Sequence, residues 1–234
     1  MVEAQHIVST LKVVDSLPEQ AVLEEELERT KPLVPPECQH LHYLLATPFR
    51  YDSIYPVGSR FRRAGRTAGV FYASENPRTA VAELAFHRLL FFARSPATEP
   101  PAGAFSEFTL FATAFGTTRS LDLTAPPLSR DRKAWVHPTE YAACQALGEA
   151  ARQCDVEVIR YESARDPEGG ANVALLSCRA FAAKTPQSRQ TWRLRISPLG
   201  VQALCELPRL RLEFPRAIFA NDPRITVSSK KSGS

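Results

Sequence analysis

The sequence predicts a mixed α/β or α+β domain, because short strand patterns are interspersed with two principal helix patterns. The helix patterns begin at Asn76 and at His137. No G-x-G-x-x-G follows a predicted strand, so a Rossmann fold is not expected. At 234 residues, the chain is long enough for one substantial domain and too short for two large ones.

The composition limits the classes of protein that fit. Hydrophobic residues make up 44% and charged residues 23%, as in ordinary globular proteins. No apolar run approaches the ~20 residues that cross a bilayer, and residues 1–30 lack a basic segment followed by an apolar core. We therefore expect a cytoplasmic protein with no membrane partner. The net charge of +4, without a Lys/Arg block, suits a polyanionic small molecule or an acidic partner at least as well as nucleic acid.

The potential metal ligands are too scattered to predict a metal site. The five cysteines are Cys38, Cys144, Cys154, Cys178 and Cys205. They are odd in number and form no C-x-x-C pair, so buried free thiols are expected rather than zinc ligands or disulfides. Glu83 and His87 have the i, i+4 spacing of two metal ligands, but a third is not visible, and no metal is predicted.

Residues 1–40 are predicted to form an N-terminal helical extension. Ser16 is the expected N-cap, Pro18 lies in the first turn, and Pro32 follows the end of a helix near residue 30. We expect this helix to serve as a packing or oligomer surface. The core is predicted to begin with a strand at residues 41–45.

An arginine-rich loop over residues 52–68 leads into a predicted strand at 70–73. Loops on a rigid scaffold often carry function. Asn76 is the expected N-cap of the next helix, with Pro77 at its first position. This helix is predicted to run to about Phe92, and it places an acidic residue among apolar neighbours.

The second half of the chain predicts strands at 105–115, 119–123, 156–161, 172–181 and 191–196, helices at 137–154 and 199–204, and a disordered tail at 228–234. In the longer of these helices, Ala142, Ala146 and Ala150 are predicted to form a smooth face for close packing.

Three side chains within about 24 positions describe a dinucleotide site. The planar fork of Arg60 can grip a diphosphate. Tyr72 can stack on a flat heterocycle. Glu83 can stabilise the cation that forms when a glycosidic bond breaks.

The order and spacing of short motifs resemble those of the RES domain family, named for its Arg, Glu and Ser. The motifs are Arg60-Phe61 after Gly58-Ser59, then Tyr72-Ala73-Ser74, Glu83, Tyr161-Glu162-Ser163-Ala164-Arg165 and Asn172-Val173-Ala174-Leu175-Leu176. The resemblance spans about residues 41–182. Each motif alone is weak, but their shared order and spacing are fairly specific.

The resemblance implies a fold like that of ADP-ribosyltransferases, with a split, mostly antiparallel sheet, flanking helices and NAD in a cleft. The catalytic domain would cover residues 41–227. Arg60 would bind the diphosphate, Tyr72 would orient the nicotinamide end, and Glu83 would stabilise the ribosyl cation. Ser163 would hydrogen bond the ribose or the nicotinamide. Arg62, the second choice for the diphosphate, and Arg50 would supplement the phosphate grip.

The resemblance also implies the toxin of a type II toxin–antitoxin system that cleaves the nicotinamide–ribose bond of NAD. NAD is the substrate rather than a cofactor. Inorganic phosphate as co-substrate, water, or a protein side chain can each be the acceptor, which gives an NAD phosphorylase, an NAD glycohydrolase or a mono-ADP-ribosyltransferase. An alternative of another class is a non-catalytic nucleic-acid-binding module.

The implied partner is a helix-turn-helix, Xre-like antitoxin that alone contacts DNA. A homodimer of the toxin within that complex is a further arrangement that the sequence leaves open.

Overall fold

The computed structural model describes residues 1–3, 10, 13–51, 58–95, 97–98 and 103–225. The helices in these ranges are α1 (Leu17–Thr30), α2 (Tyr43–Arg50), α3 (Pro77–Arg94), α4 (Arg132–Trp135) and α5 (Ala142–Gln153). The strands are β1 (Val2–Glu3), β2 (Phe71–Ser74), β3 (Ser106–Ala112), β4 (Ser120–Asp122), β5 (Val158–Glu162), β6 (Ala171–Leu175), β7 (Ser188–Ser197), β8 (Gly200–Cys205) and β9 (Leu210–Pro215). The predicted tail at 228–234 lies outside the described residues.

The strands form two sheets. One is five-stranded, in the order β1-β3-β7-β8-β9, and the other is four-stranded, in the order β2-β6-β5-β4. Neighbouring strands run antiparallel except β4 and β5, which are parallel. This confirms the predicted α+β class with a split, mostly antiparallel sheet.

Two of the helix starts that the sequence predicts are confirmed by capping hydrogen bonds, whereas the start predicted at His137 is wrong, because α5 begins at Ala142 and has no side-chain cap. The Ser16 side chain accepts from the N–H of Glu19 at the start of α1, and the Asn76 side chain accepts from the N–H of Thr79 at the start of α3. Each cap pairs a backbone donor that has no partner within the helix.

The strand predicted at residues 41–45 is wrong, because this segment enters helix α2. Its buried residues Leu44, Leu45 and Phe49 recur at helical spacing, and the His42 side chain accepts from the N–H of Leu44 as the N-cap. A short apolar run has no periodicity that separates a strand from a buried helix.

The short helix predicted at residues 199–204 is also wrong, since this segment is strand β8. Val201, Ala203 and Cys205 are buried, whereas Gln202 between them is exposed. The strand pairs on both sides, with β7 and with β9, so its backbone hydrogen bonds are satisfied by the sheet.

Helix α5 packs through a different face from the one predicted. The alanines Ala142, Ala146 and Ala150 are exposed, and the buried residues are Cys144, Gly148 and Ala151. A side chain built on Gly148 would place its Cβ only 2.9 Å from the carbonyl oxygen of Phe61. The absence of a side chain therefore lets α5 approach the arginine-rich loop closely.

Three apolar clusters place the site residues at the junction of the two sheets. Helix α3 packs on the inner face of the five-stranded sheet, where Trp192 and Phe214 are fully buried. Helix α2 packs on one face of the four-stranded sheet. The other face of that sheet buries Phe61 beside Tyr161 and α5. Within the described ranges, none of the helices combines the length and apolar character that a membrane span needs.

Candidate active site

A row of polar side chains crosses one face of the four-stranded sheet. Ser74 pairs with Asn172 across β2 and β6, and Asn172 pairs with Tyr161 across β6 and β5. Residues opposite each other in a ladder share a face. The Ser74 hydroxyl donates to Asn172 Oδ1 at 2.6 Å, so this hydrogen bond fixes the orientation of the Asn172 amide.

The carboxylate of Glu83 reaches this row from α3. Its Oε1 accepts from Asn172 Nδ2 at 2.6 Å and from the Ser163 hydroxyl at 2.7 Å. Its Oε2 accepts no hydrogen bond from any residue that the structure describes. Hydrogen bonds to an ionised carboxylate are about twice as strong as neutral ones. One oxygen is therefore held by two donors, and the other is available to a ligand.

Ser163 connects Glu83 to the turn that follows β5. While its hydroxyl donates to Glu83, its Oγ accepts from the N–H groups of Arg165 and Asp166, each at 3.1 Å. The residue is only 3% exposed. A hydroxyl has one donor and two acceptor positions, so all of them are used within the protein. We therefore regard Ser163 as a residue that positions Glu83.

Arg60 lies close to Tyr161, which belongs to the same polar row. It is 9% exposed and donates to the carbonyl oxygens of Trp135 at 2.5 Å and His137 at 3.1 Å. Its guanidinium lies 4.8 Å from the ring centroid of Tyr141 and 5.9 Å from that of Tyr161. The guanidinium therefore lies near two aromatic rings. Its hydrogen bonds join the arginine-rich loop to the segment that precedes α5.

Tyr72 uses its hydroxyl to hold the arginine-rich loop. The hydroxyl accepts from the N–H of Phe61 at 2.9 Å and lies 2.8 Å from the Ser59 hydroxyl. Burial of this group raises the pKa of Tyr72, although both hydrogen bonds oppose the rise. The protonated hydroxyl can therefore donate to Ser59. The residue is 37% exposed, which leaves part of its ring open for stacking.

The two other predicted phosphate-binding arginines have partners inside the protein. Arg62 is 6% exposed, and its Nε donates to the carbonyl oxygen of Thr67 at 3.1 Å. Arg50 ends α2, where it pairs with Glu28 of α1 and donates to the carbonyl oxygen of Pro32 at 2.8 Å. The structure thus joins Arg50 to the N-terminal extension. Residues 52–57 of the arginine-rich loop lie outside the described residues.

The C-terminal segment contributes a buried ion cluster next to Glu83. Asp222 is fully buried and accepts from Arg165 at 2.9 Å and from Arg224 at 2.6 Å. Both arginines also donate to the carbonyl oxygen of Pro138, and the Arg165 guanidinium stacks 3.7 Å above the Phe86 ring. Burial raises the pKa of Asp222, but the hydrogen bonds and charges of the arginines outweigh it, so its pKa is lowered. Asp222 is therefore ionised and compensates the arginines.

A cavity of about 420 Å³ opens beside Ser163. Its walls include Pro138, Arg165 and Asp222, together with Arg132, which pairs with Glu162. Pockets for small ligands commonly have ~300–1,000 Å³. The volume is within this range, but Arg60, Tyr72 and Glu83 are not among the lining residues, so the cavity lies beside the Glu83 carboxylate rather than around it.

No group of three or more metal-binding side chains occurs in the part of the chain that the structure describes. His87 lies one turn after Glu83 and is exposed. The arrangement supports chemistry that relies on a carboxylate, a cation and aromatic rings.

Several residues of this site were not assigned a role from the sequence. Asn172 is the polar residue of the otherwise apolar strand β6, and this exception was a signal that could have identified it. No comparable sequence pattern marks Tyr141 or Asp222, because the residues that each contacts in the site lie far away in the sequence.

The model of the RES domain family matches residues 34–197, which is more than half of the chain. This chain belongs to the RES domain family. The match includes Arg60, Tyr72, Glu83 and Ser163, and it confirms the resemblance inferred from the motifs. The family is associated with NAD-related enzymatic activity. None of the curated proteins compared with the chain matches it.

The hydroxyl of Tyr72 is expected to stabilise the Arg60 loop. Tyr72→Phe keeps the ring but removes the partner of the Phe61 N–H and of Ser59, so we expect the free energy of unfolding to fall by about 1–2 kcal/mol. Denaturant unfolding measures this change, and hydrogen exchange should report faster exchange of the Phe61 amide. Ser59→Ala is the matched second variant. A double-mutant cycle without coupling between the two positions would show that they do not support the loop together.

Proposed function

We propose that this chain cleaves the nicotinamide–ribose bond of NAD and acts as the toxin of a type II toxin–antitoxin pair. The observation that carries the proposal is the carboxylate of Glu83, held through one oxygen by Ser163 and Asn172 with its other oxygen available. A carboxylate in this arrangement is suited to a positive charge that develops beside it.

The chemistry requires only one carboxylate. The nicotinamide ring of NAD is cationic, so it takes the electron pair of the breaking C–N bond and leaves as a neutral molecule without receiving a proton. The ribose carbon develops oxocarbenium character, which Glu83 stabilises. The oxygen of the acceptor then bonds to this carbon: an anionic phosphate oxygen does so without losing a proton, whereas water releases its proton to the solvent.

The surrounding residues are assigned to binding and positioning. The open part of the Tyr72 ring stacks on the nicotinamide end. Arg60 binds the diphosphate through the N–H groups that do not donate to the two carbonyl oxygens. Arg62 adds positive potential. Ser163 and Asn172 hold Glu83 in place.

We favour NAD degradation, with inorganic phosphate or water as the acceptor. The test is to incubate the purified protein with NAD and to measure free nicotinamide in buffers with and without phosphate. Phosphate-dependent release identifies phosphorolysis, and phosphate-independent release identifies hydrolysis. Label transfer from NAD to protein identifies mono-ADP-ribosylation. No nicotinamide release under any condition contradicts the proposal.

Glu83 should be required for turnover but not for folding. Because it acts mainly on the transition state, Glu83→Gln is expected to lower kcat by about 100-fold or more, with KM changed much less. Nicotinamide release under steady-state conditions measures both. The matched control is Glu213→Gln, an exposed position on β9, which should retain wild-type kcat. A folded Glu83→Gln protein with normal turnover would remove Glu83 from the mechanism.

Arg60 should affect substrate binding as well as stability. Arg60→Lys keeps the charge but loses the planar fork and its position between the Tyr141 and Tyr161 rings. We expect KM for NAD to rise by about tenfold and the protein to become less stable. The control is Arg66→Lys, because Arg66 is exposed and pairs only through Glu149 among the described ion pairs. An unchanged KM in folded Arg60→Lys protein would assign Arg60 a structural role alone.

Unrestrained consumption of NAD would harm the host cell, so we expect a partner that inhibits this chain. We propose that a small antitoxin with a helix-turn-helix part covers the cleft with an acidic segment, which Arg60 and Arg62 would attract. Co-expression with the product of a neighbouring small reading frame should give a complex that copurifies and releases little nicotinamide. A tight complex that turns over NAD at the full rate would contradict inhibition by cleft blocking.

A further inference from the structure

An arginine-lined groove crosses the outer face of the five-stranded sheet, far from the Glu83 motif in sequence. It has a volume of about 550 Å³. Its charged lining residues are Arg189, Arg193, Glu206, Arg209 and Arg211. The ladder places Arg193, Leu204 and Arg211 side by side across β7, β8 and β9, so we call this surface the arginine groove.

Most of the positive charge in the arginine groove is not compensated by the residues that the structure describes. Arg193 pairs with Glu206 at 2.8 Å. Arg209 and Arg211 are exposed and form no ion pair with a described residue. The apolar residues Leu207 and Leu210, which also line the groove, are 84% and 37% exposed. The groove therefore offers both cations and apolar surface to a partner.

Helix α1 has the opposite charge, and its packing against the described residues buries none of its side chains. None of its residues is buried, and Leu17, Val22 and Leu27 are 71%, 62% and 44% exposed. An isolated helix of this length is marginal in water. Its described connection to the domain is made by Arg50, which contacts Glu28 and the carbonyl oxygen of Pro32. The helix is thus tethered at its C-terminal end and exposed along its length.

The charges of the two surfaces are complementary. Residues 15–31 contain six acidic and two basic residues, a net charge of −4, whereas the whole chain carries +4. The remainder therefore carries +8. No hydrogen bond or ion pair between described residues joins α1 to the groove of its own chain, so the described contacts do not pair the two surfaces within one copy.

We infer that α1 of one copy of this chain binds in the arginine groove of a second copy. The glutamates of α1 would pair with the groove arginines, and the leucines of α1 would cover Leu207 and Leu210. Charge complementarity of this kind accelerates association and fixes register. The inference does not depend on the reaction that the Glu83 site performs.

Reciprocal exchange of the two helices makes a closed dimer. Each copy donates one helix and accepts one, so a two-fold axis uses both surfaces and leaves neither exposed. A 14-residue helix is about 21 Å long. Because the exchange makes two helix–groove contacts, the dimer interface buries more surface area than a single contact would.

The experiment measures the mass of the full chain in solution by sedimentation at several concentrations and ionic strengths. We expect a dimer that dissociates as salt is raised. Reversing the groove charge with Arg209→Glu and Arg211→Glu should raise the dimer Kd by about tenfold or more, which corresponds to about 1.4 kcal/mol. Reversing charge on the helix with Glu24→Arg and Glu25→Arg should have the same effect, and combining the four substitutions should restore the dimer.

The matched control is Arg119→Glu with Arg130→Glu, which makes the same change in net charge at two exposed arginines outside the groove. This control should remain dimeric. Circular dichroism and denaturant unfolding establish that each variant is folded. A monomeric wild-type chain overturns the inference, since it leaves the helix free or bound to its own groove. A dimer that the groove variants leave unchanged also overturns the inference. The same holds if the protein that carries all four substitutions stays monomeric.

Discussion

The site depends on one shared acceptor, the Oε1 atom of Glu83. Its two donors come from different elements, since Asn172 lies within β6 and Ser163 follows β5. Glu83 itself belongs to α3, which packs on the other sheet. These hydrogen bonds therefore join the two sheets as well as fixing the carboxylate. An unpaired carboxylate at this junction would be costly, so folding and the geometry of the site favour the same arrangement.

The other site residues are held by contacts that link distant parts of the chain. The Tyr72 hydroxyl holds the loop at Phe61, and that loop places Arg60 against the carbonyl oxygens ahead of α5. On the opposite side, Asp222 neutralises Arg165 next to the turn that contains Ser163. This C-terminal segment lies beyond the part of the chain that matches the family. The residues of the family motifs and the C-terminal segment that contains Asp222 therefore both hold the site in place.

Local signals in the sequence predicted much of the fold, and long-range packing explains what they missed. The caps Ser16 and Asn76 located two helices because they satisfy backbone donors within a few residues. The strand predicted at 41–45 and the helix predicted at 199–204 were wrong, since the structure of such short apolar runs depends on their tertiary partners. The motifs predicted roles for Glu83 and Ser163, but not the hydrogen bond between them. Asp222 could not be predicted, because its partners are remote in sequence.

We propose that Ser163 and Asn172 act through Glu83 when the nicotinamide–ribose bond breaks. The most direct measurement is the single-turnover rate of nicotinamide release from NAD for Ser163→Ala and Asn172→Ala, each alone and combined with Glu83→Gln. We predict that each substitution slows the wild-type enzyme but adds little to Glu83→Gln, because the group that it positions is already lost. Equal and independent slowing in both backgrounds, or no nicotinamide release by the wild-type protein, would contradict this account.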